Sequence, residues 1–499
     1  MGKLTDRVAK GVFWVLMEKF GLQAVHFVVT LVLARLLTPN DYGTVALLSI
    51  FISISNILVD SGFGKALVQK KNVGQVDMNS VFYLSLTFAT LLYALLFLLA
   101  PWVADFYGIP DLKVMMRMLS VSLIFHSING VQNVELNRKL LFKLSFRISW
   151  ARSVVSAVTG ISLALAGYGA WALVWASLMG GVAGVIARQM VIRWRPSLAF
   201  SWASVAGLYR FGWKMLAASL LNAICNNITG LLIGKLYTRA DLAFYKKGGH
   251  TPHLLTNTID ATVGRVSFPA LVKLQDEPTK LRNALRRMIK CSTFCVFPLM
   301  VGVAVLAKPL VLALFGERWL PCVPFMQLYC IVCACRPFST INLQAILALG
   351  RSGTYLWLIV IRRVLGLLTL GLTIRLGVLD YLFWAVMVSG PLGVIINAQP
   401  NRRILGYSFS MQIMDVLPAF LLSAMTGVVV WGAGRIWTAA DVWFLMPALP
   451  LGVCCYLSLA WIFRVRALGE IAETIRPKMQ KRVPRLAACL EVIGRRCGK

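Results

Sequence analysis

Apolar residues along this chain run in long unbroken blocks, separated by short polar and basic connections. The blocks cover 12–34, 43–64, 80–104, 114–133, 150–167, 170–192, 213–234, 250–272, 291–315, 323–349, 353–374, 378–398, 412–434 and 440–463. Many reach the length of about 20 residues that a helix needs to cross the hydrocarbon core. In lipid every backbone polar group must be satisfied internally, which leaves only helices or closed barrels. Barrel strands are about 10 residues long and alternate in polarity, and these blocks do neither. The pattern predicts an all-α integral membrane protein with about fourteen transmembrane helices. Blocks 114–133 and 250–272 are polar for helices that face lipid. Such helices usually face a cavity or other helices.

Composition agrees: 58% of the residues are hydrophobic and 14% charged, against about 25% charged in soluble domains. The formal net charge of +32 would suggest nucleic acid in a soluble protein. Here the basic residues sit in the connections and set topology instead, so no nucleic-acid partner is expected. With the N-terminus inside, 34 of the 51 Lys and Arg fall in cytoplasmic segments and 10 in outside segments. That is the positive-inside bias. An even number of spans returns the basic tail to the cytoplasm. The apolar stretch after Met1–Lys10 runs past signal-peptide length without an A-x-A site and reads as a retained first span. Segments 276–290 and 464–485 are basic and partly amphipathic, and are expected to lie on the anionic cytoplasmic leaflet among membrane lipids.

The chain also repeats itself. Shifted by 200 residues, Ala34-Arg35-Leu36-Leu37-Thr38-Pro39-Asn40-Asp41 meets Gly234-Lys235-Leu236-Tyr237-Thr238-Arg239-Ala240-Asp241. Further on, Asp60 meets Asp260, Gly64 meets Gly264, and Lys65 meets Arg265. Six spans separate the two segments, so both halves point the same way. Parallel repeats of this kind occur in transporters with a central site between lobes.

Four segments carry a family resemblance: Ala34 to Gly43 after the first span, Asp60 to Gln69 at the end of the second, Phe268 to Asp276 after the eighth, and Leu314 to Trp319 after the ninth. In this order and at these span ends the chain, over roughly residues 5–465, resembles the polysaccharide flippases of the multidrug/oligosaccharidyl-lipid/polysaccharide (MOP) exporter superfamily, in the colanic-acid-exporter branch. The resemblance implies two pseudo-symmetric six-helix lobes around a central cavity, at 1–195 and 196–405, two further helices at 406–465, and a basic cytoplasmic tail at 466–499. It implies a bacterial inner-membrane flippase with both termini cytoplasmic, acting in lipopolysaccharide or exopolysaccharide biosynthesis. The cargo would be an undecaprenyl-diphosphate-linked oligosaccharide, carried from the cytoplasmic to the periplasmic leaflet by alternating access. It also implies work beside a polysaccharide polymerase or export machinery, no resident cofactor, and coupling to an H+ or Na+ gradient.

A diphosphate needs cations along its path, and the arginine fork binds phosphate oxygens in pairs. Charge within a span is costly and calls for a reason. The basic candidates within spans are Lys19, Arg117, Arg152, Arg265, Arg336, Arg362 and Arg363. Arg336 is the deepest, and Pro337 beside it frees a backbone carbonyl and weakens the helix. Adjacent Arg362 and Arg363 point about 100° apart, so at most one faces a narrow lumen directly. Arg117, Arg152 and Arg265 also lie close enough to an interface to snorkel, and Lys19 has Glu18 beside it. The expected substrate residues are Arg336, Arg362, Arg363, Lys19, Arg265 and Arg152. The acidic residues set deeper within spans are Glu18, Asp60, Asp260 and Asp415. Glu18, Asp60, Asp260 and His26 are the candidates for ion coupling, with His126 a second mid-span imidazole. Pairing with Lys65 and Arg265 at the helix ends is the plainer role for the two aspartates. The eleven cysteines and four histidines show no metal-ligand spacing, and there is no nucleotide-binding GxxxxGK[ST] loop. No catalytic residues are expected. A small-molecule antiporter of the same superfamily would want an acidic, aromatic cavity. A membrane glycosyltransferase or polymerase would want a sizeable outside loop, and the outside connections here are short.

Overall fold

A computed structural model describes residues 21–60, 67, 74–138, 142–192, 196–437 and 443–470. Every regular element among them is helical. Eleven of these helices are long and apolar enough to cross a bilayer, and their apolar windows are only 17% to 50% buried. Side chains such as Leu98, Trp102, Met190 and Leu372 are 70% to 81% exposed. Exposed apolar surface on this scale suits lipid and not water. The other three expected spans fall on Gly21–Leu36, Trp202–Leu236 and Arg239–Val272, which are helical but lie outside those eleven. The last carries Lys246, Lys247, His250, His253 and Asp260, which explains its weak apolar signal.

The chain divides into two compact units, Met1–Ala243 and Phe244–Lys499. The first unit holds α1 (Gly21–Leu36), α2 (Pro39–Asp60), α3 (Gln75–Tyr107), α4 (Asp111–Ser120), α5 (Ser122–Arg138), α6 (Phe142–Leu165), α7 (Ala170–Val191) and α8 (Trp202–Leu236). Block 114–133, expected as one helix, steps at Val121 between α4 and α5. Helices α6 and α7 pack along each other, closely enough that a Cβ on Gly180 would fall 2.9 Å from Ser156 Cβ.

One end of this unit is held by a carboxylate that serves two helices. Asp41 Oδ2 accepts from Thr38 N–H at 2.9 Å and from the Thr38 hydroxyl at 2.6 Å, at the start of α2. Asp41 Oδ1 accepts from Ala170 N–H at 3.0 Å, the first residue of α7. Helix N-termini carry unsatisfied N–H groups and partial positive charge, so an aspartate is well placed at both. Two hundred residues on, Asp241 accepts from Thr238 N–H at 3.1 Å and from its hydroxyl at 2.7 Å. The repeat read from the sequence thus reappears as the same cap with the same partners.

Helix α9 (Arg239–Val272) leads from the first unit into the second. The second unit continues with α10 (Pro278–Val305), α11 (Ala307–Leu314), a 3-10 turn (Glu317–Cys322), α12 (Val323–Ala348), α13 (Ser352–Thr373), α14 (Val378–Met387), a π-turn (Val388–Leu392), α15 (Gly393–Leu405), α16 (Phe409–Ile436) and α17 (Leu445–Ile462). Segment 276–290 is continuous with the span that follows it. From Pro278 it is the first part of α10, because the apolar stripe Leu281, Leu285, Ile289 keeps helical register with the span and is fully buried. Its basic face is used within the unit. Arg286 donates to both oxygens of Asp415 in α16, at 2.7 and 2.8 Å, and Lys290 Nζ lies 2.9 Å from Oδ1. The Tyr407 hydroxyl donates to the same carboxylate at 2.8 Å; burial, with Asp415 beside it, pushes this phenol above its ordinary range and keeps it a donor. Next to this clamp Asn342 donates to Gln412 at 2.8 Å and Asn401 donates to Asn342 at 2.6 Å, all three fully buried. These bonds fasten α10, α12, α15 and α16 together. Segment 464–485 lies largely outside the described residues.

Candidate functional site: an arginine cluster in the second unit

Helices α9 and α12 approach closely because Gly248 and Gly249 present no side chain. A Cβ on Gly248 would fall 2.6 Å from Phe325 Cβ, and one on Gly249 would fall 2.9 Å from Tyr329 Cε2. From that contact each helix carries one polar stripe at helical spacing: His253, Asn257 and Asp260 on α9, and Tyr329, Cys333 and Arg336 on α12. The His253 and Tyr329 rings lie 5.2 Å apart, and Cys333 Sγ is 3.5 Å from His253 Nδ1. Arg336 ends the stripe. Its Nη1 donates to Asn257 Oδ1 at 2.6 Å and lies 3.4 Å from His253 Nδ1. Its Nε lies 3.0 Å from Asp260 Oδ2. That carboxylate oxygen is buried and accepts no aligned hydrogen bond, so charge holds the pair more than geometry does. The Asp260 side chain is 11% exposed and that of Arg336 34%. Pro337 does not break α12, which runs through it to Ala348.

Two more guanidinium groups stand nearby. Arg362, on α13, donates through Nη2 to the Ser389 carbonyl at 3.4 Å. Ser389 belongs to the π-turn, which contains Pro391; π-turns leave backbone carbonyls turned from the regular ladder and recur at functional sites. Gly393 leaves room for the guanidinium, since a Cβ there would stand 3.4 Å from Arg362 Nε. Arg362 interacts electrostatically with both Arg363 and Arg336. Arg336 and Arg362 thus bring Asp260 and Arg363 into one neighbourhood of charged groups.

The remaining sequence candidates lie elsewhere. Arg152 is exposed on α6, its stem against α7, where a Cβ on Gly184 would be 3.6 Å from Arg152 Cδ. Arg117 donates to the Phe97 carbonyl at 3.2 Å and stands over that ring. Asp60 meets His126, with Nε2 3.0 Å from Oδ1. His26 is exposed on α1. Lys19, Glu18 and the Lys65 partner expected for Asp60 lie outside the described residues, as does the side chain of Arg265. His253 and Asn257 were missed in the sequence; their spacing from Asp260 was the available signal. Among the described residues no group of His, Cys, Asp or Glu is placed to hold a metal.

Comparison with known proteins adds what geometry leaves open. A profile of the family described as "Polysaccharide biosynthesis protein" matches residues 32–324, more than half of the chain. The chain belongs to this family. It is 23% identical over 468 residues to the teichuronic acid biosynthesis protein TuaB of Bacillus subtilis (strain 168), covering 92% of this chain and 96% of TuaB. It is 24% identical over 335 residues to the lipopolysaccharide biosynthesis protein WzxC of Escherichia coli (strain K12), covering 66% and 67% of the two chains. It is 25% identical over 361 residues to the succinoglycan biosynthesis transport protein ExoT of Rhizobium meliloti (strain 1021), covering 72% of each. Among solved structures, the lipid II flippase MurJ in an inward closed conformation matches with a TM-score of 0.72 at 14% identity, over 91% of this chain and 98% of MurJ. An inward-facing MATE family transporter of the MOP superfamily matches with a TM-score of 0.56 at 14% identity, over 84% and 96%. The fold is that of the MOP superfamily, as the four sequence segments implied.

Proposed function

We propose that the chain is a flippase that carries an undecaprenyl-diphosphate-linked oligosaccharide from the cytoplasmic to the periplasmic leaflet, by alternating access, for surface polysaccharide biosynthesis. The observation that carries this reading is the gathering of Arg336, Arg362 and Arg363 on two spans of a MOP-fold protein. Arginines are costly at that depth and suit an anionic cargo that brings its own charge. Family membership supports the pathway, and the names of TuaB, WzxC and ExoT are those of polysaccharide biosynthesis and transport proteins. The excess of basic residues in the expected inside segments supports a bacterial inner membrane with both termini cytoplasmic. On this reading the lobes are 1–195 and 196–405, with 406–465 appended, a polymerase or export complex takes the product, and no covalent chemistry is performed. The small-molecule antiporter is the weaker alternative, because a gathering of arginines does not suit a cationic drug. A catalytic role as glycosyltransferase is weaker again, since no outside connection supplies a domain for it.

The test is deletion of the gene followed by extraction of lipid-linked sugars. Diphosphate-linked repeat units are expected to build up on the inner leaflet. The wild-type gene restores polymer, whereas Arg336→Ala and Arg362→Ala, inserted to the same level, do not. Wild-type polymer from both variants would remove the cluster from the site, and no build-up in the deletion would remove the flippase.

A further inference from the structure

The pairing of Asp260 with Arg336 gives the cluster its own internal competitor. Of the five N–H groups of a guanidinium, Nε and Nη2 form the edge that takes two oxygens of a phosphate or carboxylate. Arg336 spends Nη1 on Asn257 and His253, which fixes the plane of its fork. Nη2 has no partner among the described residues, and Nε faces Asp260 Oδ2. The phosphate-binding edge is thus half covered, and covered by a contact without an aligned hydrogen bond.

We propose that Asp260 is a resident anion that holds the phosphate place on Arg336 and is displaced by the diphosphate of the cargo. This rests on the flippase reading. An empty carrier has to return across the bilayer with its site unfilled, and a bare guanidinium there is unfavourable. Asp260 neutralises Arg336 for that step. When a diphosphate arrives, its two oxygens form the bidentate bonds that the carboxylate does not, and Asp260 turns away. On the far side the carboxylate competes for Arg336 again and helps the cargo leave. Asp260 therefore sets affinity low enough for release.

The proposal has a sign with pH. A protonated Asp260 is neutral and a poor competitor, so diphosphate affinity rises as pH falls. Among the described residues, the other titratable or charged groups at the site are His253 on the same helix, Cys333 on α12, and Arg362 and Arg363 on α13. All of them remain in Asp260→Asn, so the difference between variant and wild type isolates Asp260.

Full-length protein in lipid nanodiscs is titrated with farnesyl diphosphate across pH. Asp260→Asn is expected to bind about tenfold more tightly than wild type near neutral pH, a coupling of ordinary size. The gap closes as pH falls, and multiple-turnover flipping slows because release is slower. Asp260→Ser, a second variant should Asn disturb folding, is expected to behave likewise. Equal or weaker binding by both variants at every pH, with Arg336→Ala still defective, overturns the competitor and leaves the flippase site standing. Binding by Arg336→Ala as tight as wild type, or no binding by any form, overturns both.

Discussion

Asp60 and Asp260 stand 200 residues apart, on helices that begin with the same Thr-to-Asp cap. Each reaches a cationic or titratable partner on another helix of its own unit. Asp60 meets His126 on α5 and Asp260 meets Arg336 on α12, the fourth and tenth expected spans, six apart as the repeat requires. There the likeness ends. The Asp60 side chain is 60% exposed and its partner is an imidazole. Asp260 is 11% exposed and its partner is a permanent cation with two more arginines beside it. The repeat retains the scaffold at the cap and varies the chemistry at the pair. One unit offers a guanidinium; its counterpart position in the other offers an imidazole.

The comparison breaks most visibly at Arg336. Arg336→Ala is expected to reduce surface polymer to background while protein level in the membrane stays unchanged. Arg336→His is sharper, because it gives the second unit the chemistry of the first. Imidazole is cationic only below about pH 6.5. Flipping of a fluorescent lipid diphosphate in proteoliposomes should therefore be nearly absent at pH 8 and return as pH falls, with the lumenal and outer pH kept equal. A variant as active at pH 8 as at pH 6 would show that fixed charge is not what distinguishes the two units.

How much of this was legible without a structure follows from what each feature depends on. Span lengths and polarity depend on the bilayer, so the blocks locate the helices within a few residues. The step at Val121 and the run of α10 back to Pro278 depend on packing within a unit, and the blocks are silent on both. Arg336, Arg362 and Asp260 stood out because charge in a span is costly wherever it points. Their being together was not legible, since it depends on how Gly248 and Gly249 let α9 lie against α12. The Lys65 expected beside Asp60 lies outside the described residues, and His126, which the fold brings from α5, was not foreseen because nothing in the sequence places it near Asp60.

The two caps give the next smaller effect. Asp41 serves α2 and α7, whereas Asp241 serves α9 through Thr238. Losing an N-cap costs about 1 kcal/mol, with a range of roughly 0.5 to 2. Asp41→Ala is expected to cost about 2 kcal/mol and Asp241→Ala about 1 kcal/mol, read as an ordered pair of drops in the thermal unfolding midpoint in detergent. Equal drops would mean that the α7 start draws nothing from Asp41, and that the two ends of the repeat are energetically alike.

The smallest effect is expected at the first unit's own pair. Exposed ion pairs are worth about 0 to 1 kcal/mol, and at 38% and 60% side-chain exposure His126 and Asp60 belong in that class. His126→Gln keeps a donor to the carboxylate, and Asp60→Asn keeps an acceptor for the imidazole. Both should leave the unfolding midpoint within the error of measurement and polymer within about threefold of wild type, an effect of roughly 0.65 kcal/mol. The value of so mild an outcome lies in its contrast with Arg336→Ala. If His126→Gln instead removes polymer as completely, with the protein still inserted, then His126 is needed for a step of the transport cycle. The first unit would then take part through a group whose charge follows pH, and the division between a receptor unit and its quiet counterpart would have to be redrawn.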